Sequence, residues 1–187
     1  DLYLADHTHI PTQSVSEDAR MRTIAFYAPS KTFNLAGLIG SYHIIYNPWL
    51  RDRIRKESSL SHYNSMNVLS MYALIGAYEP EGWEWLEELK EVLTQNVDYA
   101  VNFIENNWKG VSVSKPQATY MLFIDCEEWC KVHGKTMDDV EKAGLEVGVL
   151  WRDGRAFHGE YCIRMNLALP YARVQEAFER LDKYVFN

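Results

Sequence analysis

Ala28-Pro29-Ser30-Lys31-Thr32-Phe33-Asn34-Leu35-Ala36-Gly37-Leu38 is the stretch on which the reading of this chain turns. It sets one lysine between an apolar run, Thr23 to Ala28 (TIAFYA), and a turn of small residues. That run and Ser41 to Tyr46 (SYHIIY) are rich in β-branched and aromatic residues and predict two strands, with Lys31 in the connection between them. A lysine at a buried strand end is costly unless its amine is used. Burial disfavours the charged form, and a neutral amine is what Schiff-base chemistry requires. The plain alternative is a solvated loop lysine, the usual fate of the residue.

Working outward, Pro48 opens a predicted helix to about Lys56, because proline suits a first helical turn. Asn64 to Tyr78 predicts a buried helix, with Val68, Met71, Tyr72 and Ile75 at helical spacing. The strongest periodic signal runs from Pro80 to Trp108. Leu86, Leu89, Leu93, Val97, Val101, Ile104 and Trp108 fall three or four apart, and Glu84, Glu87, Glu88, Lys90 and Glu91 take the other face, which predicts one long amphipathic helix. Beyond it, Thr119 to Asp125, Val147 to Trp151 and Tyr161 to Leu167 predict strands. Thr136 with Asp139 predicts a helix N-cap, and Tyr171 to Tyr184 a closing helix.

With 187 residues, 47% of them hydrophobic, the chain can bury a sizeable core. A net charge of −7 argues against a nucleic-acid surface or an anionic membrane as the main partner, since both want a basic face. The best apolar run, Val68 to Tyr78, is too short to span a bilayer. Cys126, Cys130 and Cys162 make an odd count without a CxxC, which fits reduced thiols in a cytoplasmic protein. His7 and His9 form an HxH with no third ligand at a recognisable spacing, so loop structure is expected there and no metal. His43, alternating with Ile44, is expected to be packed and hydrogen-bonded; His62 and His158 carry no assignment.

The SKTFNLAGL wording around Lys31 resembles the cofactor-lysine motif of fold-type I pyridoxal-phosphate (PLP) enzymes, and within them the cystathionine β-lyase branch of MalY/PatB-type C–S lyases. Further matches follow in order: Asp1-Leu2 with His9-Ile10-Pro11, then Thr119-Tyr120-Met121 with Ile124-Asp125. Asp153-Gly154-Arg155 with Phe157, and Arg164-Met165-Asn166 with Pro170, complete the series. The resemblance implies an α/β fold, the C-terminal part of a fold-type I PLP-dependent transferase. Residues 1–79 would be the end of the large PLP-binding domain, 80–108 a long connecting helix and 109–187 a small α+β domain.

By the same resemblance Lys31 would bind the cofactor aldehyde and later act as base at Cα, and Ser30 would hydrogen-bond the cofactor phosphate. Arg164 would grip the substrate α-carboxylate, a task suited to a planar guanidinium that meets both oxygens at once. The alternatives are a turn-capping serine and an inward arginine paired with an acid such as Glu160. The implied activity is β-elimination from cystathionine or a cysteine conjugate by a homodimer. Its rivals are a class I/II aminotransferase and a non-catalytic binding piece. Ile39 stands where many aminotransferases of this fold carry a phosphate-binding arginine, which favours the lyase branch. The family aspartate that pairs with the pyridine nitrogen precedes the position of Asp1, and the glycine-rich phosphate turn, the ring-stacking aromatic and the partner-donated tyrosine have no counterpart here. The 187 residues are therefore expected to be a fragment of a longer enzyme, inactive by itself.

Overall fold

The computed structural model describes residues 2–5, 7–61 and 65–187. Asp1, His62 and the first residue of the helix expected from Asn64 lie outside the described residues. The chain forms two compact units: Thr8–Glu88, and Leu2–His7 together with Leu89–Asn187.

In the first unit a short 3-10 turn, Thr12–Ser14, leads into α1 (Glu17–Arg22), a helix the sequence reading did not anticipate. Its signals are nonetheless orthodox. The Ser16 hydroxyl accepts from the Ala19 amide, with acids in the first turn and arginines in the last. β1 (Ala25–Tyr27) and β2 (Tyr42–Ile44) pair antiparallel with Ala25 opposite Ile44, the centres of the two predicted strands. The amide of the buried Gln13 donates to the carbonyls of Thr23 and Ile44 at 3.1 and 2.9 Å and pins the end of this ribbon. α2 (Pro48–Ser59) starts at the predicted proline behind an Asn47 cap, and α3 (Val68–Ala77) behind an Asn67 cap.

α3 departs from expectation. Val68, Met71, Tyr72 and Ile75 are 62%, 41%, 66% and 49% exposed, and only Ser70 of this helix is buried. Its sequence, VLSMYALIGA, is apolar all round, so helical spacing alone does not select an inward face. The predicted long helix is α4 (Pro80–Asn107), whose first turns, to Glu88, belong to the first unit.

The second unit is built on a four-stranded antiparallel sheet. Its strands are β3 (Ser112–Val113), β4 (Met121–Asp125), β5 (Arg152–Asp153) and β6 (Cys162–Asn166), in the order β3-β4-β6-β5. Alternation along β4 and β6 turns Leu122, Ile124, Ile163 and Met165 into the core. There they join Leu93, Val97, Ala100, Val101 and Ile104 of α4 and Val174, Phe178 and Leu181 of α7 (Tyr171–Leu181), all buried. The Phe178 ring stacks on Trp108 at 5.3 Å and meets Phe103 edge-on at 5.6 Å. α5 (Glu127–His133) was not anticipated, whereas α6 (Met137–Glu146) opens on the predicted Thr136–Asp139 pair, which closes a full capping box. A segment at the chain start joins this unit: Tyr3 bridges Ala118, and Leu2 and Leu4 are buried.

The strand predicted over Val147–Trp151 is not formed. The Val147 and Gly148 amides return to the last turn of α6, and Gly148 sits at φ +75°, a left-handed exit that any side chain would strain. Extended pairing begins only at Arg152.

Candidate functional site

Lys31 lies on a single helical turn: the Phe33 amide donates to the Pro29 carbonyl at 2.9 Å, and the Leu35 amide to the Ser30 carbonyl at 3.0 Å. Pro29, Thr32 and Phe33 are buried, so helical geometry turns the intervening Lys31 outward. This corrects the expectation of a buried strand end. The amine is exposed, and the turn beneath it is what is buried. Phe33 anchors that turn, with its ring 5.4 Å from Tyr78 and 6.2 Å from both Trp83 and Trp85. The Tyr78 hydroxyl meets that of Tyr42 at 3.3 Å, and burial together with this contact pushes the Tyr78 phenol well above its ordinary range. Asn34 adopts φ +53°, a conformation asparagine tolerates better than most residues, and ends the helical turn. Among the described residues no carboxylate pairs with the Lys31 amine, and no group bonds the half-buried Ser30 hydroxyl. A free amine and a free hydroxyl on adjacent residues of a fixed turn suit a ligand that offers an aldehyde and a phosphate. Ile39 is 83% exposed.

In the second unit Arg164 sits in the middle of β6, on the sheet face turned away from the core, with Phe123 of β4 and Arg152 of β5 directly beside it. Its guanidinium lies 4.8 Å over the ring of Phe157, a cation–π contact. Glu160 does not pair with it, nor does any other carboxylate among the described residues. The acids of this region serve Arg155 instead: Asp138 and Asp153 meet its guanidinium at 2.7 and 2.6 Å. The Arg155 hydrogen bonds hold the Asp153 carboxyl below its usual range. A Cβ on Gly154 would fall 2.2 Å from the Cys162 carbonyl oxygen, and one on Gly159 2.5 Å from the tip of Phe123. Only glycine lets this loop lie flush on the sheet, and the loop carries Phe157 to Arg164.

The sequence reading missed Asn96. It is fully buried on α4, and its amide nitrogen donates to the carbonyls of Leu167 and Leu169, each at 2.8 Å. Those residues are the exit of the strand that carries Arg164, so Asn96 fixes the strand's end from below. A lone asparagine in the apolar stripe of an amphipathic helix was the available signal. A cleft of about 230 Å³ nearby is lined by Val149, Met165, Leu167, Val174 and Phe178. By strand alternation Met165 faces away from Arg164, so that wall of the cleft lies on the core side of the sheet.

His7 and His9 are exposed loop residues. Among the described residues no group of three or more His, Cys, Asp or Glu side chains is placed to hold a metal ion. His43, expected to be packed, is exposed on β2 with its ring 5.5 Å from that of Phe26, because the ribbon has no second layer over that face among the described residues. The three cysteines are free thiols, and burial pushes Cys126 and Cys130 up. Among the described residues no helix is long and apolar enough to cross a membrane.

Residues 4–181 match the family model for aminotransferase class I and II, and the chain belongs to that family. It is 29% identical over 184 residues to cystathionine beta-lyase PatB of Bacillus subtilis (strain 168), covering 97% of this chain and 46% of that protein. It is 29% identical over 184 residues to the protein MalY of Escherichia coli (strain K12), covering 94% of this chain and 44% of that protein. Among solved structures it is similar to cystalysin from Treponema denticola, whose crystal structure contains a pyridoxal 5'-phosphate cofactor. The TM-score is 0.85 at 30% identity, over 97% of this chain and 46% of that one. The chain thus spans about half the length of the curated relatives it matches.

Proposed function

We propose that this family member serves a PLP-dependent C–S β-lyase, which releases pyruvate, ammonia and a thiol from cystathionine or a related cysteine conjugate. The observation that carries the reading is the exposed Lys31, whose amine no carboxylate pairs among the described residues, on a turn anchored by Phe33. The C–S lyase relatives support the same branch. Lys31 would hold the cofactor through its aldehyde carbon, and the neighbouring Ser30 hydroxyl would donate to the phosphate. When bound, PLP supplies an electron sink for charge left at the substrate Cα.

The remaining steps fall to the chain's own residues. Arg164 meets both oxygens of the α-carboxylate and thereby orients the Cα–H bond, with Phe157 beneath the guanidinium limiting where it can swing. The Lys31 amine, freed when the substrate amine takes its place, would then accept the Cα proton and pass it to the departing sulfur. The Cβ–S bond then breaks with its electron pair going to sulfur, and the thiolate is protonated. One water hydrolyses the unsaturated amine that remains to pyruvate and ammonia.

Residues 1–79 are proposed as the end of a large PLP-binding domain, 80–108 as a connecting helix and 109–187 as a small domain; α4, spanning Pro80–Asn107, supports the middle assignment. The exposed apolar residues of α3 support a homodimer, since large apolar surface patches mark interfaces. A cytoplasmic location is proposed, with the free thiols in its favour.

Product analysis of the full-length protein with cystathionine tests the activity. Pyruvate and ammonia formed without an added keto acid support elimination. Product that appears only when a keto acid is supplied identifies an aminotransferase instead.

A further inference from the structure

We infer that Arg152 is a second anion-binding residue beside Arg164, and that it selects, among cysteine conjugates, those whose sulfur substituent is acidic. The inference rests on the reading of Arg164 as the α-carboxylate residue. Arg152 on β5 lies directly opposite Arg164 on β6 in an antiparallel pair. Residues so paired share a face of the sheet, with Cα atoms about 4.5–5.5 Å apart. The next residue pair in that register, Asp153 with Ile163, points the other way, toward the buried side on which Ile163 lies.

Like charges placed directly opposite each other destabilise a strand pair. Sheets usually relieve such a pair with an acid, and here, among the described residues, neither guanidinium has one. The other polar side chains of the face are engaged locally. The Asp125 carboxylate accepts from the Glu127 amide at 2.8 Å, and the Asn166 side chain accepts from the Ala168 amide at 2.7 Å. Asp153, next to Arg152 in sequence, is bound to Arg155. Two arginines therefore stand opposite each other on one face of the sheet, with no acid paired to either among the described residues, and the half-exposed rings of Phe123 and Phe157 border Arg164.

That arrangement is complementary to a ligand with two negative groups a few bonds apart. One carboxylate goes to Arg164, and a carboxylate on the side chain or on the sulfur substituent goes to Arg152. An amino acid with an apolar side chain would meet Arg164 alone. Among the cysteine conjugates proposed above, the two arginines therefore favour those with a carboxylate on the sulfur substituent over those with an apolar one. Arg152 is exposed, so replacing it disturbs no packing.

Calorimetric binding of butyrate and succinate to the full-length protein tests this without turnover, since the two probes share a carbon count and differ by one carboxylate. Succinate is expected to bind about tenfold more tightly, the size of one charge-assisted hydrogen-bonded contact. Arg152→Gln should remove that preference, weakening succinate far more than butyrate. Arg152→Lys should retain part of it, as a charge without the planar fork. Arg164→Gln should weaken both probes. Equal binding of the two by the unaltered protein, or a preference that survives Arg152→Gln, overturns the inference and leaves Arg164 standing. Butyrate binding that is absent, or indifferent to Arg164→Gln, overturns the Arg164 reading and the inference with it.

Discussion

The two units solve the same problem in opposite ways. In the second unit one sheet face, α4 and α7 bury Leu93, Val97, Ile104, Ile124, Ile163 and Phe178 to 1% exposure or less. Arg164 stands on the other face of that sheet, supported by a finished core. In the first unit the buried apolar side chains among the described residues are Pro29, Phe33, Ile45 and Leu86, while Trp49, Leu60, Leu69 and Tyr72 are each more than 60% exposed. Lys31 is held there by a local aromatic nest rather than by a layered core. The difference teaches that a site residue can be fixed either by the sheet it belongs to or by the turn it sits on. Only the first arrangement makes the site depend on global packing.

The largest expected effect falls on the turn. Lys31→Ala in the full-length protein should lower the steady-state lyase rate by at least about a thousandfold, since it removes both the cofactor tether and the base. In the cofactor-free protein the same change should leave the thermal midpoint within error, because the side chain is exposed. A large loss of stability would break the distinction between the two units.

Phe178→Ala should cost the second unit about 3–5 kcal/mol in urea unfolding, as for other fully buried aromatic residues. Leu69→Ser on α3 should shift stability by no more than about 0.5 kcal/mol if that face is open as described, and a larger cost would mean that it is covered in the whole protein.

Asn96→Ala should cost about 2 kcal/mol by leaving the Leu167 and Leu169 carbonyls unpaired. It should also raise KM for an amino-acid substrate, through Arg164, more than it lowers kcat. Unchanged KM would make Asn96 purely structural.

The smallest effect is set by pH. The Thr136 hydrogen bonds lower the Asp139 carboxyl in the folded state. Its contribution is therefore complete above the ordinary aspartate value of about 3.9 and is lost as pH falls through the lowered one. Burial raises Glu141, which acts in the reverse sense and favours the folded state at the acid end. Comparing unfolding midpoints of the unaltered protein and Asp139→Asn from pH 6 to 2 isolates the Asp139 part: the variant should be the less stable at pH 6, and the gap should close at acid pH.

Legibility in the sequence follows the same division. Where burial is settled within a single unit, periodicity reads it well. The stripe of α4, the alternation in β4 and β6, the inward face of α7 and the capping box of α6 all emerge where the pattern places them. α3 fails because an all-apolar helix announces a wish for burial without saying what covers it. Val147–Trp151 fails because Gly148, at φ +75°, turns a run whose β-branched and aromatic content otherwise favours extension. α5 was missed since its seven residues are too few to show a period. Around the proposed site, the motif that holds Lys31 and the strand that holds Arg164 are legible in the sequence. The exposure of Lys31, the Phe157 ring under Arg164 and the pairing of Arg152 with Arg164 are not, because each depends on a turn or a register that brings distant residues together.

The most direct test of the central claim is borohydride reduction of the purified full-length protein, followed by peptide mass mapping. The account predicts a pyridoxyl group fixed to the Lys31 side chain alone, with loss of the visible absorbance of the untreated protein. A label on any other lysine, or no label on a protein that still cleaves cystathionine, would contradict it.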